Sequence, residues 1–237
     1  MSVALAAQLR EGTKKAHTMA ENTGFVSCFL KGVVDKRSYR MLVADLYFVY
    51  TAMEEEFARL ADHPAVGPVG FPELNRRESL EKDLLYYFGG DWRTSIRATP
   101  GAQEYVARIR RVAKEEPELL IGHHYTRYIG DLSGGQILKN IAQKAMGLGE
   151  HDGLRFYEFD AIPDEKAFKD NYRATLNNLP IDQAMADRIV AEANEAFHCN
   201  MKMFQELEGN LVAAIGKVLF GFLTRRQRAG STEAVAA

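Results

Sequence analysis

The sequence is poor in several features, and each shortage removes a class of function. Its 237 residues contain two cysteines, Cys28 and Cys199, and Cys28 opens no C-x-x-C pattern. A disulfide framework and a structural zinc site are therefore not expected, and a reducing compartment fits best. An excess of one charge is also missing. Thirty basic residues stand against thirty-two acidic ones, a net charge of −2, which gives no electrostatic footprint for nucleic acid. Long apolar runs are absent: LVAAIGKVLFGFL, residues 211–223, is too short to span a bilayer and carries Lys217. The first residues lack a basic region followed by an apolar core, so they do not read as a signal peptide. Strand signals are scarce as well. RFYEF, residues 155–159, is the one short aromatic run, and no Asn-Gly or Asp-Gly pair joins two alternating runs. Internal repeats and low-complexity linkers are not found.

What remains is helical periodicity. Leu5, Leu9 and Ala16 recur along one side of residues 3–22. A stretch of about six turns from Ser38, read as its N-cap, carries Leu42, Leu46, Val49, Met53 and Phe57 at three- and four-residue steps. Residues 71–90 run to Gly89-Gly90, prolines open the stretches beginning at Pro100 and Pro117, and a last long helix runs from about Asp182 to Leu223. These patterns predict an all-α single domain over 1–223, loops near 62–72 and 147–153, and a polar flexible tail over 224–237.

One helical stretch is anomalous. YIGDLSGGQILKN, residues 128–140, has an apolar side yet contains Gly130, Gly134 and Gly135, each costing a helix about 0.5–1 kcal/mol relative to alanine. Its LSGGQ matches the signature motif of ABC-transporter ATPases, but Gln136 stands where a phosphate-binding loop needs lysine, and no Walker A sequence occurs elsewhere. Gly130 and Gly134 are four apart and share a helix face. Two readings stand: close packing of a neighbouring helix, or a backbone surface for a ligand. Asp131 beside them favours an enclosed polar network, because a buried carboxylate needs partners.

A second cluster lies near the N-terminus. Arg10, Lys14, His17 and Glu21 follow at steps of four, three and four. An imidazole with two cations one and two turns away suits a flat, metallated ligand with acidic arms; a solvated charged face is the alternative. Lys169 and Arg173 form another paired cationic face, and Phe197, Met201 and Phe204 an apolar stripe. Glu195 and His198 make one Glu-x-x-His unit, but a di-iron site needs a second, which the chain lacks. Glu54 to Glu56 read as an exposed turn, and His63 as a surface residue.

Taken together and in order, REGTKKAHTMAEN, YTRYIGDLSGGQILKNIAQKA, AFKDNYR and EAFHCNMKMFQEL resemble the haem oxygenases over about residues 2–222. The resemblance implies a multi-helix bundle holding haem b, both substrate and cofactor, between a proximal helix and a kinked distal helix. It implies His17 as the axial iron ligand, and Arg10, Lys14, Lys169 and Arg173 near the haem propionates, with Tyr125 a further contact. Phe197 and Phe204 would wall the macrocycle. Gly130 and Gly134 would face the distal side of the haem, where Asp131 organises water, with Arg127 and Asn200 in its network. The implied reaction uses O2 and electrons to open haem to biliverdin IXα, releasing Fe2+ and CO. The soluble enzymes of cyanobacteria, algae and plastids are the nearest type. That implies reduced ferredoxin as donor, a biliverdin-using reductase downstream in phycobilin synthesis, no membrane anchor, and a cyanobacterial cytosol, with the plastid stroma as alternative. Arg76, Arg77, Arg110 and Arg111 are candidates for a basic patch toward ferredoxin. A haem carrier or sensor, and a non-haem enzyme on the same scaffold, are the rival classes.

Overall fold

The computed structural model describes the backbone of residues 3–229 and the side chains of residues 3–207. Helices are α1 (Leu5–Gly12), α2 (Lys14–Glu21), α3 (Gly24–Leu30), α4 (Lys36–Arg59), α5 (Arg77–Phe88), α6 (Trp92–Ser95), α7 (Pro100–Glu115), α8 (Leu120–His124), α9 (Gly130–Met146), α10 (Glu165–Asn177) and α11 (Gln183–Ala229). Among the described residues there is no strand. RFYEF forms a short 3-10 turn over Arg155–Tyr157, its ends held by partners outside any ladder. The expected tail begins inside α11, whose backbone continues to Ala229; residues 230–237 lie outside the described residues.

Local chemistry sets the helix ends. Asp35, not Ser38, caps α4: its carboxylate accepts the backbone N–H groups of Arg37 and Ser38 at 2.9 and 3.0 Å, and the Ser38 hydroxyl at 2.7 Å. Serine was a legitimate candidate, but the aspartate three residues earlier reaches the same orphan donors. Thr99 caps α7, and its hydroxyl and N–H also donate to buried Asp45 at 2.8 and 2.9 Å, tying α7 to α4. Gly89 and Gly147, at φ of +76° and +61°, end α5 and α9 in a region that side chains avoid.

Helix α4 packs against α5, α7 and α11, while α11 touches α1, α2, α3, α7 and α8. The core between them includes Leu5, Leu9, Tyr39, Val49, Met53, Leu84, Tyr105, Ile109 and Ile189. Gly122 lies against the α11 backbone: a Cβ there would stand 2.7 Å from the Ile189 carbonyl oxygen and 2.8 Å from the Ala193 nitrogen. Two expectations change. The N-terminal helix breaks at Thr13, whose hydroxyl donates back to the Leu9 carbonyl at 2.7 Å, a bond that bends helices. Glu54 to Glu56 are no turn but the last turns of α4. Glu54 accepts the Arg76 and Arg77 N–H groups at the start of α5, and buried Glu56 pairs with Arg59 and Arg110.

Candidate active site

Residues 120–146 run as one rod with a fault. Tyr125–Ile129 form a π-turn between α8 and α9, immediately before the glycines. Such turns insert a residue into a helix and redirect it. The rod's second half and the bent α1–α2 segment enclose a cavity of about 720 Å3, within the ~300–1,000 Å3 of small-molecule sites. Arg10, Lys14 and His17 line it from one side, Gly130, Asp131 and Gly134 from the other, and Phe197, Asn200 and Phe204 from α11.

The glycines decide between the two sequence readings. A Cβ built on Gly130 or Gly134 meets nothing within 4 Å. Among the described residues no helix packs there; the bare backbone faces the cavity. The tight packing that glycine permits occurs at Gly122 instead, a position the sequence did not mark. Gly135 points elsewhere, its Cβ position 3.3 Å from Cδ1 of Tyr157.

Above the glycine wall lies a polar network. Asp131 Oδ2 accepts a short hydrogen bond from the Tyr50 hydroxyl, and Oδ1 accepts from Arg127 Nη2 at 3.4 Å. Arg127 Nε donates to the Tyr50 oxygen at 3.1 Å, and Nη1 to Asn200 Oδ1 at 2.8 Å. Burial pushes the Asp131 carboxyl well above its usual range and lowers the Arg127 guanidinium. Their mutual contact opposes both effects. The arrangement is a partly buried carboxyl, held by hydrogen-bond donors, at the edge of a cavity. Asp131, Arg127 and Asn200 were expected together. Tyr50 was missed: it sits on the apolar stripe of α4, fully buried, and only its hydroxyl, a polar tip that needs a partner when buried, hinted at more than core.

On the opposite side the His17 ring meets the edge of Phe197, centroids 5.8 Å apart and planes at 81°. His17 Nδ1 lies 3.8 Å from Glu21, and its side chain is half-exposed. Lys14 pairs with Glu11 at 2.5 Å. Tyr125 lines the cavity, and burial raises its phenol despite the charges of Arg10 and Arg173 nearby. Lys169 and Arg173 do not line the cavity; they pair with Glu165 and Asp170 on their own helix, at 3.1 and 2.7 Å. Arg173 still lies near enough for its charge to act on Tyr125.

Other candidates fall away. His198 and Glu195 pair at 3.4 Å on the surface, and among the described residues no group of three or more His, Cys, Asp or Glu could hold a metal ion. His63 is half-buried, its Nδ1 accepting the Ala65 and Val66 N–H groups. The basic patch does not form as expected. Arg76 is buried, donating to backbone carbonyls of Leu74 and Phe156, with its guanidinium 3.9 Å from the Phe159 ring centroid. Arg77 pairs with Glu81, and Arg110 with Glu55 and Glu56.

Fold and site thus define an all-α protein with a cavity between a histidine-bearing segment and a helix that is bare at Gly130 and Gly134. The family model described as Heme oxygenase matches residues 3–206. The chain is 64% identical to Heme oxygenase 1 of Synechocystis sp. over 98% of its own length and 97% of the relative's. It is 53% identical to Heme oxygenase of Porphyra purpurea over 92% and 93% of the two chains. The crystal structure of the Synechocystis heme oxygenase-1 in complex with heme superposes with a TM-score of 0.91 at 63% identity, covering 93% of this chain and 100% of that one. The chain belongs to the haem oxygenase family.

Proposed function

We propose that the protein binds haem b in this cavity and opens it to biliverdin IXα, releasing Fe2+ and CO. The observation that carries the reading is the pairing of a bare glycine wall at Gly130 and Gly134 with an acid network at Asp131, opposite His17. A flat macrocycle needs a wall without side chains. A carrier needs no acid aimed into its pocket.

Haem, when bound, supplies the iron that takes up O2 and the ring carbon that is oxidised. The protein supplies the rest. His17 lines the cavity opposite the glycines and would bind the iron, an imidazole being a weaker electron donor to it than a thiolate. Arg10 and Lys14 would pair with the acidic arms of haem. Gly130 and Gly134 let backbone approach the ring. Asp131, oriented by Tyr50 and Arg127, holds a proton and passes it inward through water. Electrons would come from reduced ferredoxin, and the bilin would pass to a biliverdin-using reductase in phycobilin synthesis in the cytosol. Among the described residues no helix is long and apolar enough to cross a membrane.

The test is an absorption time course. Hemin is titrated into the protein, then ferredoxin, its reductase, NADPH and air are added. A one-to-one Soret complex that bleaches as a biliverdin band grows supports the reading. A Soret band that persists refutes the oxygenase, and no specific complex refutes haem binding.

A further inference from the structure

Gly135 and Gln136, the second half of the glycine motif, take no part in the cavity wall. Around the helix they lie with Lys139 on the side away from Gly130 and Gly134, at 100° per residue. That side is gripped. The ring of Tyr157 stands against Gly135, Gln136 Nε2 donates to the Tyr157 carbonyl at 3.1 Å, and Lys139 Nζ to Glu158 Oε1 at 2.7 Å. The turn that makes these contacts is itself fixed. Asp83 of α5, fully buried, accepts the N–H groups of Arg155 and Phe156, both at 2.8 Å. Buried Arg76 donates to the Phe156 and Glu158 carbonyls from the other flank.

At Gly130 and Gly134 the helix meets the cavity as bare backbone, flanked by Asp131, Ser133, Ile137 and Leu138, and those two positions carry no side chain to set how far it enters. Its position must be fixed from behind. We propose that the 155–158 turn, acting on Gly135 and Gln136, sets the depth of the glycine wall over the ring and so selects which of the four bridging ring carbons is attacked. Gly135 and Gln136 are then positioning residues, and the inference rests on the haem-opening reading above. An alanine at Gly135 puts its methyl 3.3 Å from the Tyr157 ring, tighter than ordinary contact. The helix or the ring must move by a few tenths of an ångström, and Tyr157 itself lines the cavity.

The experiment compares wild type, Gly135→Ala and Gln136→Leu. Each is titrated with hemin, turned over, and its bilin isomers separated by chromatography. The expected result is an unchanged one-to-one hemin complex in all three, with the ratio of major to minor isomers falling about three- to tenfold in the variants, the worth of one hydrogen bond or contact. Gln136 is exposed, so Gln136→Leu carries the test even where Gly135→Ala fails to fold. A Gly135 serving only the helix predicts the opposite: alanine raises Tm and leaves the isomers alone. Wild-type isomer ratios in both variants overturn the latch while leaving haem opening intact. Absence of bilin from the wild type overturns both.

Discussion

Replacing Asp131 by asparagine is the most direct challenge to the proposed chemistry. The amide keeps the size of the carboxyl and one oxygen able to accept from the Tyr50 hydroxyl or from Arg127 Nη2. Arg127 also retains its bond to Asn200 at 2.8 Å. The network should therefore hold its shape, and the glycine wall is untouched. What disappears is the proton. Positioned proton transfer contributes about 10²- to 10⁴-fold to a rate, or roughly 3–5 kcal/mol of barrier. Asp131→Asn should bind hemin with wild-type affinity and form biliverdin slower by that factor. Burial raises the Asp131 carboxyl, so it keeps its proton where ordinary carboxylic acids have lost theirs. Bilin formation in the wild type should fall as pH rises through that elevated value, and the asparagine variant should lack this limb. Single-turnover absorption traces over a pH series measure both. Full bilin yield at a wild-type rate from Asp131→Asn would refute the reasoning outright.

Three further outcomes are expected. His17→Ala should lose the native axial ligation, seen as loss of the iron–histidine band in resonance Raman; an unchanged band would remove His17 from the role. Glu192 is buried against Arg108 and His123, bonded to His123 Nε2 at 2.8 Å. Burial alone would raise it, but hydrogen bonds from Arg108 and His123 prevail and hold it at about 2. Its contribution is present above the ordinary glutamate value and lost as pH falls toward 2. Glu192→Gln should thus cost about 3 kcal/mol at pH 7, a difference that closes in acid on denaturant melts. Finally, Gly130→Ala should not destabilise and should gain up to about 1 kcal/mol from helix propensity. Gly122→Ala, driven into the α11 backbone, should lose about 1–3 kcal/mol; equal Tm shifts in the two would contradict the glycine geometry.

Much of this was legible in the sequence, for identifiable reasons. The heptad-like steps of Leu42, Leu46, Val49 and Met53 give α4 away because one face of a helix must be apolar to pack. Arg127, Asp131 and Asn200 were grouped by family resemblance, and the structure brings them within hydrogen-bonding distance. What the sequence hid depends on distance through space. Asp83 carried no signal and Arg76 was a candidate for a basic patch, yet both are buried because the 155–158 turn offers them bare backbone groups. Tyr50 carried no signal because its ring packs in the core and only its oxygen reaches the site. Gly122 gave no signal, since a lone glycine does not say which neighbour needs the space. The break at Thr13 was invisible because it does not change the apolar pattern, while the kink in the distal helix was implied by the resemblance and only its form, a π-turn, was not.

The π-turn has a consequence for the phase of the rod. In a regular helix Gly130 would be turned about 80° from Gly122. One inserted residue takes up about 100°, which returns Gly130 to within about 20° of Gly122, with Gly134 a similar angle to the other side. The three glycines then form one stripe along the rod. At Gly122 the two backbones touch; two turns later they have parted, with Phe197, Asn200 and Phe204 across the gap. The pair works like a hinge with jaws, and the extra residue keeps both jaws smooth on the same side. Making 125–129 a regular helix without removing a residue would leave the fulcrum in place but roll the bare surface by about 100°, whereas deleting one residue there would remove the fault and keep the phase.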